Sequence, residues 1–156
     1  PIVSGFSFSG AKKGSPNDEF ITALKSPNLK AVIICPSNPL ISIDPILAVN
    51  GVRKGLRDCR APVVAVSPII ADSGIKGPIS KQLTELGYKV SVTTIANFYR
   101  DFIDGFVIDY KDNSYVDELE SLGIRIKVCN ILMNNINTKI ELAKKILEFS
   151  STCVKS

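Results

Sequence analysis

Short, unbroken Val/Ile runs separated by longer amphipathic stretches constrain this chain most. Val63-Val64-Ala65-Val66 and Phe106-Val107-Ile108 show no polar alternation, which is the pattern of strands covered on both faces in a parallel sheet. Runs of this kind alternating with helical patterns read as repeated βαβ units. The expected fold class is therefore α/β: a three-layer Rossmann-like domain with a mostly parallel sheet and helices on both faces. At 156 residues and 45% hydrophobic content, one core suffices, so residues 1–156 are expected to form a single domain.

Strands are expected at Ile2–Phe8, Ala31–Cys35, Val63–Val66, Lys89–Val92, Gly105–Ile108 and Arg125–Val128. Helices are expected from Pro16 to about Lys25, Pro45 to about Leu56, Pro78 to about Leu86, over Ile95–Ile103, and from Asn137 or Thr138 onward. In the last of these, Ile140, Leu142, Ala143, Ile146, Leu147 and Phe149 recur at helical spacing and should dock on the sheet. The chain opens on Pro1, with Ile2 already inside a strand-like run, so it is expected to be the C-terminal part of a longer chain.

Several function classes fall away. The chain has no histidine, so Ser-His-Asp chemistry, imidazole acid–base catalysis and the commonest zinc ligands are absent from this segment. Cys35, Cys59, Cys129 and Cys153 are too widely spaced for a metal-ligand pattern. The net charge of +4 comes from dispersed Lys and Arg without a basic run, so no nucleic-acid partner is expected. Neither an 18-residue apolar run nor an N-terminal leader is visible, and a cytoplasmic location without a membrane span follows as the expectation.

Function in such folds sits in loops at the carboxyl ends of the strands. The loop Cys35-Pro36-Ser37-Asn38-Pro39-Leu40-Ile41-Ser42-Ile43-Asp44-Pro45 leaves the second expected strand just before a helix. Its prolines stiffen the turn, while Ser37, Asn38 and Ser42 offer groups suited to a phosphate or a purine edge. The competing reading makes them ordinary loop residues, with Ser42 as a helix cap. After the third strand come Ser67-Pro68 and then Lys76-Gly77-Pro78, with Lys81 further on. Lys76 and Lys81 could meet an anion at the start of that helix, or stand as solvated surface charges. Asp101, Asp104, Asp109 and Asp112 admit either a magnesium reading or one as turn carboxylates. Asn130 either touches a ligand or fills a loop, and Tyr99 reads as a packing residue.

The run Pro36-Ser37-Asn38-Pro39-Leu40-Ile41-Ser42-Ile43-Asp44-Pro45-Ile46-Leu47, followed by Gly51-Val52-Arg53, resembles the signature of the 2-phospho-L-lactate transferases of coenzyme F-420 biosynthesis. Val3 through Ala11, Val64 through Ile69, Gly77-Pro78 with Lys81, Asp104 through Asp109, Leu122 through Ile124 and Leu132-Met133 keep the family's order. Asp44, Asn50 and Asn130 stand where the family often has Gly, Pro and Asp.

The resemblance implies transfer of a phospholactyl or phosphoenolpyruvyl group from a guanosine diphosphate-linked donor to the deazaflavin Fo, with GMP released. It also implies dependence on Mg2+, whose ligands would lie in an N-terminal half not contained in this chain, so no catalytic or metal-binding residue is assigned within it. Pro36, Ser37, Asn38 and Ser42 would line the guanosine-diphosphate side of a cleft, with Ser67, Lys76, Gly77 and Lys81 at its rim. The segment alone should be inactive, and a homodimer is compatible with these features. The alternative is a nucleotide-sugar-binding regulator of the related gluconeogenesis-factor family, whose Gly-Pro-Gly-Ser type loop differs from Pro36-Ser37-Asn38-Pro39.

Overall fold

The computed structural model describes residues 1–153. Four parallel strands form the main sheet: β1 (Val32–Ile34), β2 (Val63–Val66), β5 (Gly105–Ile108) and β6 (Arg125–Val128), in the order β1-β2-β5-β6. The register pairs Val64 with Gly105 and Phe106 with Ile126. A two-stranded hairpin, β3 (Ile69–Ile70) and β4 (Ser73–Gly74), projects just beyond the end of β2. The helices are α1 (Asp18–Lys25), α2 (Asp44–Leu47), α3 (Val52–Asp58), α4 (Ile79–Glu85), α5 (Val92–Tyr99), α6 (Val116–Glu120) and α7 (Ile136–Ser150).

Main-sheet order follows chain order, so every crossover steps in the same direction. Right-handed crossovers that step one way place their helices on one face. Packing agrees: Val63, Ala65, Phe106 and Ile108 face one core with Leu56 of α3, Leu83 of α4, Ile95 of α5 and Leu119 of α6. The intervening residues Val64, Val66 and Val107 face the other core, which Leu142 and Ile146 of α7 close. Alternate residues of one continuous apolar strand thus serve two separate cores. Helices lie on both faces of a parallel sheet, in the expected Rossmann-like arrangement.

α7 seats closely because Gly105 has no side chain. A Cβ there would lie 2.8 Å from both the Cys153 sulfur and the Phe149 ring. Its first turn is fixed by a capping box, in which Asn135 accepts the Thr138 N–H (3.0 Å) while the Thr138 hydroxyl oxygen accepts the Asn135 N–H (3.1 Å). No described helix is long and apolar enough to cross a membrane.

Several sequence expectations are corrected. Ile2–Phe8 is not a strand: it pairs with none of the strands among the described residues, and Ile2 is 84% exposed. Lys89–Val92 is not a strand either, because the Ser91 hydroxyl accepts the Thr94 N–H and starts α5 at Val92. The β2-to-β5 crossover therefore holds the β3/β4 hairpin and then two helices, with no strand between α4 and α5. The helix expected over Pro45–Leu56 breaks into α2 and α3 at Gly51, whose φ of +90° suits a residue without Cβ. The helix expected over Ile95–Ile103 instead spans Val92–Tyr99. Along α7, Ile140 and Leu147 are exposed, and only Leu142 and Ile146 of the apolar stripe are fully buried.

Candidate functional site

Three segments converge at the carboxyl end of the sheet around an open cleft of about 610 Å³, within the usual size range of small-molecule sites. The first wall is Pro36–Ser42 after β1. The second is Pro68 together with Ile75–Ile79, beyond β2. The third is Ile131–Asn134 after β6, with Lys139 from the first turn of α7. The segment after β6 reaches the cleft because it runs back along the sheet edge: Cys129 and Ile131 pack in the same core as Val64, Val66 and Val107. The Asp109 carboxylate at the end of β5 holds it there by accepting the Ile131 N–H (3.2 Å).

The first wall owes its shape to Asn38. Its side-chain oxygen accepts the Leu40 N–H (2.9 Å), and its amide donates to the Gln82 oxygen on α4 (2.7 Å). Past Asn38 the backbone opens into a wide turn, in which the Ile43 N–H reaches the Asn38 carbonyl and the Asp44 N–H the Pro39 carbonyl. These i to i+5 bonds are uncommon and recur at functional sites. They turn Ile41 and Ser42 toward the cleft, while Pro39 and Leu40 are buried.

Six of the eight residues singled out in the sequence line this cleft: Pro36, Ser37, Asn38, Ser42, Lys76 and Gly77. Two are elsewhere. Ser67 is fully buried, and its hydroxyl donates to the Ile69 carbonyl (2.9 Å) and accepts the Ile69 N–H (3.0 Å), shaping the entry to the hairpin. Lys81 lies outside the cleft, donating to Glu85 (2.6 Å) and to the Pro1 carbonyl (2.9 Å). The helix it rides begins at Ile79, and position 81 is turned toward the N-terminal segment.

Sequence reasoning missed Ile41, Ile75 and Lys139 as lining residues, and took Leu132 and Met133 only as points of resemblance. The available signal was the apolar run Ile131-Leu132-Met133 between Asn130 and Asn134. Ile41, Leu132 and Met133 are 37–41% exposed, so the cleft joins an apolar surface to the two ammonium groups of Lys76 and Lys139. That combination suits an organic anion with a flat or aliphatic part.

A family model described as 2-phospho-L-lactate transferase CofD matches residues 2–143. The chain belongs to the 2-phospho-L-lactate transferase family. It is 40% identical over 134 residues to a 2-phospho-L-lactate transferase of Methanocaldococcus jannaschii, a match covering 86% of this chain and 41% of the relative. A 2-phospho-L-lactate transferase of Methanococcoides burtonii is 35% identical over 147 residues, 94% of this chain and 47% of the relative. A phosphoenolpyruvate transferase of Streptomyces griseus is 31% identical over 142 residues, 90% of this chain and 44% of the relative. The chain thus spans less than half the length of these members of the transferase family.

Within this part of a transferase-family protein, the aspartates are bound to other protein groups. Asp101 pairs with Arg53 (2.5 and 3.0 Å), Asp104 accepts the Val63 N–H (2.8 Å), and Asp112 accepts the Ala71 N–H (3.0 and 3.2 Å). Asp109 accepts the N–H groups of Lys111 and Ile131. No three His, Cys, Asp or Glu side chains converge on a metal position among the described residues. Tyr99 is buried against Phe102, with ring centroids 5.8 Å apart. Burial, followed by the charge of Asp44, pushes its phenol far above the usual range, so it stays protonated as a packing group. Burial likewise raises the thiols of Cys129 and Cys153 above their ordinary range.

Proposed function

We propose that the full-length protein transfers a phospholactyl or phosphoenolpyruvyl group from a guanosine diphosphate-linked donor to the terminal ribityl hydroxyl of Fo. The acceptor hydroxyl oxygen bonds to the phosphorus bearing the lactyl or enolpyruvyl group and loses its proton to solvent, the bridge to the guanosine phosphate breaks, and GMP leaves with the bridging oxygen. In this reading the present chain contributes one side of the donor site. The supporting observation is the convergence of Pro36–Ser42, Ile75–Pro78 and Ile131–Asn134 on one cleft at the carboxyl end of the sheet, where α/β folds bind their ligands.

In this division of labour, Lys76 and Lys139 balance donor phosphate charge, Ser37 and Ser42 offer hydroxyls, and Ile41, Leu132 and Met133 pack against an apolar part of the ligand. Magnesium would supply charge neutralisation at the reacting phosphorus, held by residues beyond those described here. Asn38 acts on the ligand through the shape of its loop, because Gln82 and the Leu40 N–H already engage its carboxamide.

The test supplies the full-length protein with Fo, magnesium and either donor, and follows GMP by chromatography. GMP release with formation of the phosphodiester is the expected result. Tight binding of a uridine diphosphate sugar with no GMP release would replace this reading with a regulatory one. Ser37→Ala should weaken donor binding by about 1 kcal/mol, roughly fivefold, through one lost hydrogen bond. Unchanged donor affinity would remove Ser37 from the site.

A further inference from the structure

The wall formed by Ile75, Lys76 and Gly77 follows directly on the β3/β4 hairpin, so whatever sets the hairpin sets the wall. The connection is short and well tied: the Ile75 N–H donates to the Pro68 carbonyl (3.0 Å), and the Gly74 N–H to the Ser80 hydroxyl (2.8 Å). At the hairpin tip, Ala71 and Asp72 have φ of +50° and +55°. Among the described residues they alone, apart from glycines, have positive φ. A two-residue hairpin of type I′ requires this left-handed pair, and Asn-Gly is the sequence that adopts it most readily. An Ala-Asp tip is poorly suited, since the Cβ of alanine disfavours the conformation.

The turn is held from outside. Residues Tyr110–Tyr115, directly after β5, lie against it. The Asp112 carboxylate is 1% exposed and accepts the Ala71 N–H with both oxygens, at 3.0 and 3.2 Å. The Tyr115 hydroxyl donates to the Asp72 carboxylate at 2.9 and 3.1 Å. Burying a carboxylate on a single backbone N–H is costly, and desolvation pushes the Asp112 carboxyl above its ordinary range. None of the residues from Tyr110 to Tyr115 lines the cleft. Asp109, just before them, holds the Ile131 end of the third wall. One connection thus braces two walls of a site it does not touch.

We infer that Asp112 and Tyr115 are positioning residues of the donor site: they hold the Ala71–Asp72 turn in its strained conformation and thereby fix the Ile75–Gly77 wall, with Lys76, against the ligand. This rests on reading the cleft as the donor site. Neither residue touches the ligand in this scheme. Their effect is on the wall's order, which can be measured with no ligand present.

Two measurements on the full-length protein separate the clasp from the function. Hydrogen exchange followed by mass spectrometry, without ligand, reads the peptide covering residues 69–80. Asp112→Ala should speed exchange there tenfold or more, and Tyr115→Phe, a milder change at an exposed hydrogen bond, should speed it severalfold. Calorimetric titration with GDP should show binding weakened at least fivefold in Asp112→Ala. Adding Ala71→Asn to Asp112→Ala, which gives the turn a residue tolerant of positive φ, should restore most of both properties without restoring the carboxylate. Unchanged exchange in both single variants would overturn the clasp. Loosened exchange that Ala71→Asn fails to reverse would overturn the strained-turn account. Faster exchange with unaltered GDP affinity would overturn the positioning role. Failure of the unmodified protein to bind GDP would overturn the donor-site reading and the role that rests on it, while the exchange data would still judge the clasp.

Discussion

Gly74 is the point where the hairpin meets α4, and Gly74→Ala tests how tightly the second cleft wall is built. An added Cβ would fall 2.2 Å from Cγ2 of Ile79, while the Ile79 Cβ stands at an ordinary 3.7 Å. The comfortable carbon–carbon separation is about 3.5–4.0 Å, so the conflict exceeds 1 Å and lies almost wholly with one methyl group. Ile79 is 1% exposed at the start of α4 and also lines the cleft, so it has little room to retreat. Overpacking of this kind costs roughly 1–3 kcal/mol.

The offending atom can also be removed. Ile79→Leu moves the branch from Cβ to Cγ, deletes Cγ2, keeps the volume, and should cost under about 1.5 kcal/mol by itself. The double variant should therefore be more stable than the sum of the single effects predicts, with a coupling of about 1 kcal/mol or more. Equilibrium urea denaturation of the four proteins measures it. Additivity within about 0.5 kcal/mol would refute the reasoning, because the clash would then not be with that methyl.

Two further outcomes test the supports of the fold. Asp101 is held below the ordinary carboxylate range, first by its hydrogen bond from Arg53, then by the charges of Arg53 and Arg57, with burial opposing. A carboxylate with a depressed folded-state value stabilises above its unfolded value of about 3.9 and loses that contribution as pH falls through the folded one. Asp101→Asn should thus cost about 0.5–1 kcal/mol at neutral pH, discounted for exposure, and the gap in urea midpoint should close in acid; a gap independent of pH would count against the ion pair. Asn135→Ala removes the capping box of α7 and should cost about 0.5–2 kcal/mol, read as a lower thermal midpoint; an unchanged midpoint would show that the first turn is held by packing alone.

Much of the sheet was legible because buried parallel strands must be apolar on both faces, a demand that Val63–Val66 and Gly105–Ile108 meet in sequence alone. Lys89-Val90-Ser91-Val92 has β-branched residues alternating with polar ones, yet Ser91 supplied a cap that made Val92 helical. Ile2–Phe8 has strand composition but pairs with no strand among the described residues, and composition cannot supply a partner. At the site, the Pro36–Ser42 loop was legible because prolines and small polar residues at a strand end are a local signal. Ser67 carried the same signal but spends its hydroxyl on the backbone of Ile69, two residues further on. Lys139 gave no local signal: it is an ordinary surface-type residue until α7 folds back over the sheet.

By itself the sequence determined the class of fold, the strand-end loops and the want of imidazole chemistry, because periodicity, turn chemistry and composition are properties of neighbouring residues. Tertiary structure decided which of those loops meet, which serine and lysine turn away, and how a strained Ala-Asp turn is held by a buried aspartate 41 residues later. Those outcomes depend on the direction of the crossovers and on the run of the chain back across the edge of the sheet, which no local pattern encodes.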